Sequence, residues 1–338
     1  MSERCEPDKQ LPLLCAFPHA QFHPQLTFAL PKDTDEYGNP LIGHAYWTTI
    51  MHDKKIASEG VLFLPPPEND QSHLIIFIPG MPGEGFCPYV QKRFVNPLMN
   101  KKGASCLVLR HLGTKLECVD GQKYGLLPER TRRGHLLHQD NLGEQKSYNV
   151  HELVDEVTEA LSALGPSFKR ITLVGHSAGV LGSALALQNV PKDIQDKVGH
   201  FISLAGLVGG IDNLRWWFRN RLIFSFYLSH CQRFIRLKSP DINIKELQEM
   251  FRILFTQKLP SNVMPIFVHA HQDELIHPSA TRYYHDYNER GLHIIDHTQT
   301  PPYHKLSNVR SETLLRLLDI HHPHCKHTVS LYRKEPKK

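Results

Sequence analysis

Residues 170–189 read RITLVGHSAGVLGSALALQN, and no other stretch constrains the fold of this chain so tightly. Ile171 to Val174 form a short, β-branched apolar run, the pattern of a buried strand. From Ser177 onward Val180, Leu181, Ala184, Leu185 and Leu187 recur at helical spacing. Gly175-His176-Ser177-Ala178-Gly179 must therefore carry the chain from strand to helix within five residues. A turn that tight holds its serine in a strained backbone conformation, and a side chain two residues to either side would collide with the neighbouring strand and helix. Glycine at 175 and 179 removes the collision. The turn lifts the Ser177 Oγ clear of the strand ends, at the start of a helix whose free N–H groups favour developing negative charge. An ordinary glycine turn is the plain alternative, and the strand before it and the helix after it argue against that.

The rest of the chain alternates strands and helices. Residues 45–50 and 60–64 read as an antiparallel opening hairpin around the charged turn His52-Asp53-Lys54-Lys55. Leu74 to Ile78 is a continuous apolar run suited to a central parallel strand, ending in Pro79-Gly80-Met81-Pro82-Gly83 ahead of a helix near 90–99. Residues 105–110 form the next strand, and 111–148, with five glycines and no helical period, read as a long loop near the site. Val150, Leu153, Val154, Val157, Ala160, Leu161 and Leu164 then mark an amphipathic helix leading into the strand at 171–174. Strands follow at 201–204, 265–268 and 292–295, with helices near 280–287 and 309–318. This alternation predicts an α/β fold built on a mostly parallel, doubly wound sheet. About 60 residues, 205–264, separate two of these strands, too many for a plain crossover. Within them Leu214, Trp217, Phe218 and Leu222 share one helical face, with Arg215 and Arg219 opposite. Such a helix packs on its own domain with solvated arginines, or lines an acyl pocket or rests on anionic lipid.

Residues 1–42 read as an irregular arm, 43–318 as one α/β domain and 319–338 as a polar tail. The tail's His321, His322, His324, Cys325 and His327 are contiguous with no fold around them, so no metal site is assigned. In 338 residues a net charge of +5, without a Lys/Arg stripe, gives no footprint for nucleic acid. The seven cysteines are scattered without C-x-x-C spacing, which suggests neither a disulfide framework nor a zinc finger and favours a reducing, cytoplasmic setting. The N-terminal residues do not look like a signal peptide, and no apolar run reaches the ~20 residues that span a bilayer.

With both flanks in place, the G-x-S-x-G pentapeptide resembles the nucleophile elbow of the α/β-hydrolase superfamily. The resemblance extends over about residues 45–318 and implies an α/β-hydrolase fold with a cap or lid insertion at 205–264. It implies Ser177 as nucleophile, with the N–H groups of Met81 and Ala178 as the oxyanion hole, although Pro-Gly at 79–80 replaces the usual His-Gly. The run His269-Ala270-His271-Gln272-Asp273-Glu274-Leu275-Ile276-His277-Pro278 is similar to the H-G-x-x-D-x-x-V-x-P pattern that delivers the acid, with Ala270 in place of glycine. That makes Asp273 the acid and Glu274 the fallback; a helix cap is the competing role for Asp273. Two histidines compete as base. His297 stands almost at the last strand's end, whereas His304 lies in the loop ahead of the final helix, from which it swings back to Ser177 more readily, and His304 is preferred. Serine as nucleophile argues against the epoxide hydrolase and haloalkane dehalogenase members, which use aspartate. The pairing of 78–83 with 175–179 is also similar to the lipid-droplet-associated hydrolase group. The implied activity is hydrolysis of a small-molecule or lipid acyl ester, of lipase, esterase or thioesterase type, with no metal or organic cofactor and with contact at a membrane or lipid surface left open. The alternatives are a non-catalytic protein that docks on a membrane or partner through its cap, and a peptidase or C–C hydrolase with the same triad.

Overall fold

A computed structural model describes residues 20–23, 39, 43–66, 69, 71–81, 91–112, 148–206, 220–231, 239–276, 291–297, 311–320 and 327–331. Its strands are β1 (Ala20–His23), β2 (His44–His52), β3 (Lys55–Leu64), β4 (His73–Ile78), β5 (Ser105–Arg110), β6 (Arg170–His176), β7 (Val198–Leu204), β8 (Met264–Ala270), β9 (Leu292–Asp296) and β10 (His327–Leu331). They form one sheet in the order β1-β2-β3-β5-β4-β6-β7-β8-β9-β10. From β5 to β10 every neighbouring pair is parallel, whereas β1, β2 and β3 are joined to one another and to β5 antiparallel. The fold is therefore the mostly parallel α/β sheet expected from the sequence.

Side chains of the central strands are buried on both faces, which is why these strands read as unbroken apolar runs. Along β4, Leu74, Ile76 and Ile78 join one core, with α2 (Glu152–Leu164) and α3 (Ala178–Asn189), while Ile75 and Phe77 join the other. The second core includes Leu98 and Met99 of α1 (Asn96–Lys102) and Leu314, Leu315 and Leu317 of α7 (Ser311–Leu317). A π-helical turn, Gln91–Val95, leads into α1. Helix α3 is buried from Ala178 to Leu187. That accounts for its small and apolar residues, since a helix enclosed on all sides shows no polar face. The short α4 (Lys192–Lys197) leads into β7.

Between β7 and β8 lie α5 (Arg221–Cys231) and α6 (Pro240–Thr256). α6 packs against α3 and α5. Ser239 caps α6 by accepting the Ile242 N–H, and Asn243 Oδ1 accepts the Val150 N–H at 3.2 Å, tying this segment to the approach to α2. No helix among the described residues is long and apolar enough to cross a membrane.

Both flanks of the chain also contribute strands. β1, inside the stretch read as an irregular arm, pairs with β2 from Ala20↔Ile50 to His23↔Trp47, and β10, inside the polar tail, pairs with β9 from His327↔Leu292 to Leu331↔Asp296. Each is a strand of four or five residues at a sheet edge, ordered by backbone pairing rather than by an apolar period of its own. Most of the expected loop at 111–148 and the helix near 280–287 lie outside the described residues.

Candidate active site

From β4 the chain crosses through α1 to β5 on one side, and from β6 it crosses through α3 to β7 on the other. β4 and β6 are neighbours, so their onward connections part and leave a crevice at the carboxyl ends of the strands, where ligands bind in open α/β sheets. Ile78 pairs with Gly175 in register, and so Pro79-Gly80-Met81 and Ser177 leave the sheet side by side.

Ser177 has φ 51° and ψ −120°, a left-handed conformation that a non-glycine residue adopts only under constraint. The constraint is visible in its hydrogen bonds and neighbours. Its N–H donates to the Leu204 carbonyl at 3.0 Å, and its carbonyl accepts the Val180 N–H at 3.2 Å. A Cβ on Gly179 would stand 2.5 Å from the carbonyl oxygens of Ile78 and Pro79, and one on Gly175 would stand 2.7 Å from Val180 Cα. The two glycines allow α3 to start directly against the end of β4. A Cβ on Gly80 would lie 2.7 Å from Ser177 Cβ, which places the loop after β4 in contact with the serine. Ser177 is half-buried and Ala178 buried, and Met81 is half-buried against the main core.

Asp273 stands three residues beyond β8 on the same edge of the sheet and is fully buried. Its Oδ1 accepts the N–H groups of Leu275 and Ile276, each at 2.8 Å, so the carboxylate orientation is set by backbone rather than by a mobile side chain. Glu274 is half-buried. His297, just past β9, stacks on the exposed His271 with ring centroids 4.2 Å apart, and the His271 N–H donates to the Asp296 carbonyl. His304 lies outside the described residues, as do Leu214, Trp217 and Phe218. Of the tail residues weighed as ligands, only His327 is described, in β10. No group of three or more His, Cys, Asp or Glu suited to a metal occurs among the described residues.

Leu222, expected on the apolar face of a cap helix, is 80% exposed on α5, as is Phe226 at 76%, while Phe224 and Leu228 are buried. A buried polar cluster bonded to the loop after β4 was not apparent from the sequence. His111 Nε2 lies 3.1 Å from the Pro79 carbonyl oxygen and its Nδ1 lies 3.1 Å from Glu156 Oε2. The Tyr148 hydroxyl donates to the same Oε2 at 3.0 Å. Burial, with the adjacent Glu156 carboxylate adding to it, pushes the Tyr148 phenol well above its ordinary value. The signal that could have revealed this cluster is Glu156 itself, a charged residue on the apolar stripe of α2.

No family model and no curated relative matches the chain. Solved structures do. Est1E from Butyrivibrio proteoclasticus, in a structure with ferulic acid bound, superposes with a TM-score of 0.51 at 14% identity, over 80% of this chain and 97% of that one. A lipase-esterase related protein from Clostridium acetobutylicum matches at 17% identity, over 74% of this chain and 94% of that one, with a TM-score of 0.44. An esterase from Pyrobaculum calidifontis matches at 13% identity, over 75% and 76%, also with a TM-score of 0.44. The strand order, the crevice between β4 and β6 and the likeness to Est1E together give this chain the fold of the α/β-hydrolase superfamily.

Proposed function

We propose that this protein is a serine hydrolase that cleaves carboxylic esters through an acyl-enzyme on Ser177. The observation that carries the reading is the forced backbone of Ser177 at the switch point of the sheet, between glycines that have no room for a side chain. His304 takes the proton from Ser177 Oγ as the oxygen attacks the acyl carbonyl carbon, and Asp273 accepts the other imidazole N–H, fixing the tautomer and stabilising the imidazolium. The N–H groups of Met81 and Ala178 receive the charge that develops on the carbonyl oxygen. The intermediate collapses, the alcohol leaves with the proton from His304, and a water deprotonated by His304 then releases the acid and restores Ser177. Support for Asp273 lies in its burial and its two backbone hydrogen bonds. The ester class rests on the resemblance at 78–83 and 175–179, and an apolar acyl chain suits a cap formed by 205–264.

The test is reaction of the purified protein with a fluorophosphonate, read by intact mass and peptide mapping, beside a series of p-nitrophenyl esters of increasing chain length. A single adduct on Ser177 is expected, absent in Ser177→Ala and lost in His304→Ala but retained in His297→Ala; the reverse pattern for the two histidines would move the base to His297. Full ester turnover by Ser177→Ala would overturn the proposal. Amide or C–C substrates turned over faster than any ester would keep the nucleophile and change the class. A second reading, a non-catalytic protein docking through its cap, is favoured by one observation, the exposed Leu222 and Phe226 on α5. It predicts no adduct on folded protein and binding to anionic liposomes.

A further inference from the structure

We infer that His111, held by Glu156 and Tyr148, is a positioning residue that fixes the Pro79–Gly80 peptide, and through it the Met81 N–H, against Ser177. The catalytic consequence rests on the serine-hydrolase reading, whereas the structural clamp does not. His111 and Tyr148 are fully buried and Glu156 is 1% exposed. Burying a carboxylate and an imidazole behind a sheet is costly unless every polar atom is satisfied, and apolar residues of the same volume would fill the space more cheaply. Each polar atom here is satisfied. The Pro79 carbonyl can only accept, so His111 Nε2 carries a proton and donates it at 3.1 Å. Nδ1 faces Glu156 Oε2 at 3.1 Å with one proton between them. Glu156 Oε2 also receives the Tyr148 hydroxyl, and Oε1 receives the Leu112 N–H at 2.6 Å. Tyr148 stacks on the imidazole, ring centroids 5.6 Å apart, and holds it edge-on to Pro79.

The far end of this chain of hydrogen bonds is the loop that touches the serine. The Pro79 carbonyl oxygen is confined on one side by α3, where even a Cβ on Gly179 would approach to 2.5 Å, and on another by the His111 ring. A peptide unit is planar, so anchoring the Pro79 oxygen sets the Gly80 nitrogen and the start of the next unit, which bears the Met81 N–H. Gly80 lies against Ser177 Cβ. Without the anchor the peptide can turn away from His111, and the Met81 N–H loses its aim at the oxygen on which charge develops. Preorganised donors matter through such aim, and loss of one costs ~10²–10³ in rate.

The experiment compares wild type with His111→Leu, which removes the donor, His111→Gln, whose amide can still donate to Pro79, and Tyr148→Phe, which keeps the ring and loosens the imidazole. Turnover of p-nitrophenyl butyrate is expressed per site titrated by fluorophosphonate, so that unfolded protein does not count. Amide hydrogen exchange of the peptide containing residues 79–81 is read on the same samples by mass spectrometry. For His111→Leu the expectation is a fall in kcat of about 10–100-fold with KM within about 3-fold, since the lost aim acts on the transition state. Exchange at 79–81 should quicken at least ~10-fold relative to α3, which serves as the internal reference for global opening. His111→Gln should recover kcat to within about 5-fold of wild type, and Tyr148→Phe should fall between. Should His111→Leu fail to fold, Tyr148→Phe carries the test with His111→Gln as its reference, and Tyr148→Phe retaining wild-type kcat and exchange would overturn the inference. Unchanged kcat and unchanged exchange in His111→Leu would also overturn it. A wild type whose turnover does not depend on Ser177 would instead defeat the hydrolase reading, and exchange at 79–81 would still decide whether His111 clamps the loop.

Discussion

Replacing Gly179 with alanine adds one methyl group at the place where α3 meets the end of β4. The new Cβ would stand 2.5 Å from the carbonyl oxygens of both Ile78 and Pro79, where ordinary contact begins at 3.4 Å, so about 0.9 Å of movement is required. Neither oxygen is free to give it. The chain at Ile78 is held by parallel pairing of β4 with β6, and the Pro79 oxygen is held by His111. Overpacking costs ~1–3 kcal/mol and a rigid neighbour puts this case near the top of that range. Alanine's better helix propensity returns about 1 kcal/mol. The net expectation is ~2 kcal/mol of destabilisation. With ~2 cal/mol/K of unfolding entropy per residue, that lowers Tm by about 3 °C. A displacement of ~1 Å at the serine also predicts a loss of ~10²-fold in the rate of Ser177 phosphonylation. Gly199→Ala is the control, because nothing lies within 4 Å of the Cβ it would add in β7. It should leave phosphonylation unchanged and alter stability by under ~1 kcal/mol, toward greater stability. Thermal denaturation and phosphonylation kinetics on the three proteins read all of this. Gly179→Ala matching wild type in both would refute the claim that these glycines seat the serine.

Three further outcomes follow from buried groups. Tyr148 has its folded-state value raised above the unfolded value of ~10, so its protonation supports the fold fully below pH ~10, and that contribution is lost as pH rises through and beyond it toward the folded value. Urea unfolding between pH 9 and 11 should therefore show wild type losing stability up to ~1.4 kcal/mol per pH unit faster than Tyr148→Phe, which at neutral pH is itself ~1–2 kcal/mol less stable for want of the bond to Glu156. Glu59 and Arg110 pair directly across β3 and β5, each 2% exposed. Glu59→Ala should cost ~3–5 kcal/mol in urea denaturation, and Glu59→Leu combined with Arg110→Met should recover most of it. Cys106 and Cys231 are buried, and burial pushes the Cys106 thiol far up, so neither should be alkylated by iodoacetamide at pH 8 until urea unfolds the protein, as peptide mapping would record.

What could be read from the sequence is what is local and periodic. Leu74 to Ile78, Ile171 to Val174 and 265–268 each declare a doubly buried strand by apolar content alone, and the glycines at 175 and 179 declare a close approach because no other residue fits it. The likeness of 269–278 to an acid-loop pattern predicts Asp273 just past a strand, and it stands three residues beyond β8, its role as acid belonging to the proposal. β1 and β10 were not legible, because each takes its order from a partner strand and needs no apolar period. Nor could the pairing within the buried cluster be read. Glu156 falls on the stripe of α2 between Leu153 and Ala160, where a charge has no place unless something answers it. Its answering groups lie 45 residues away in His111 and 8 away in Tyr148, and only the sheet brings the first beside it. A charge out of phase with an apolar stripe is thus a signal that a non-local partner exists, without naming that partner. Here the partner faces the loop after β4, so the residue least consistent with its helix is the one whose hydrogen bonds lead to the serine's neighbour.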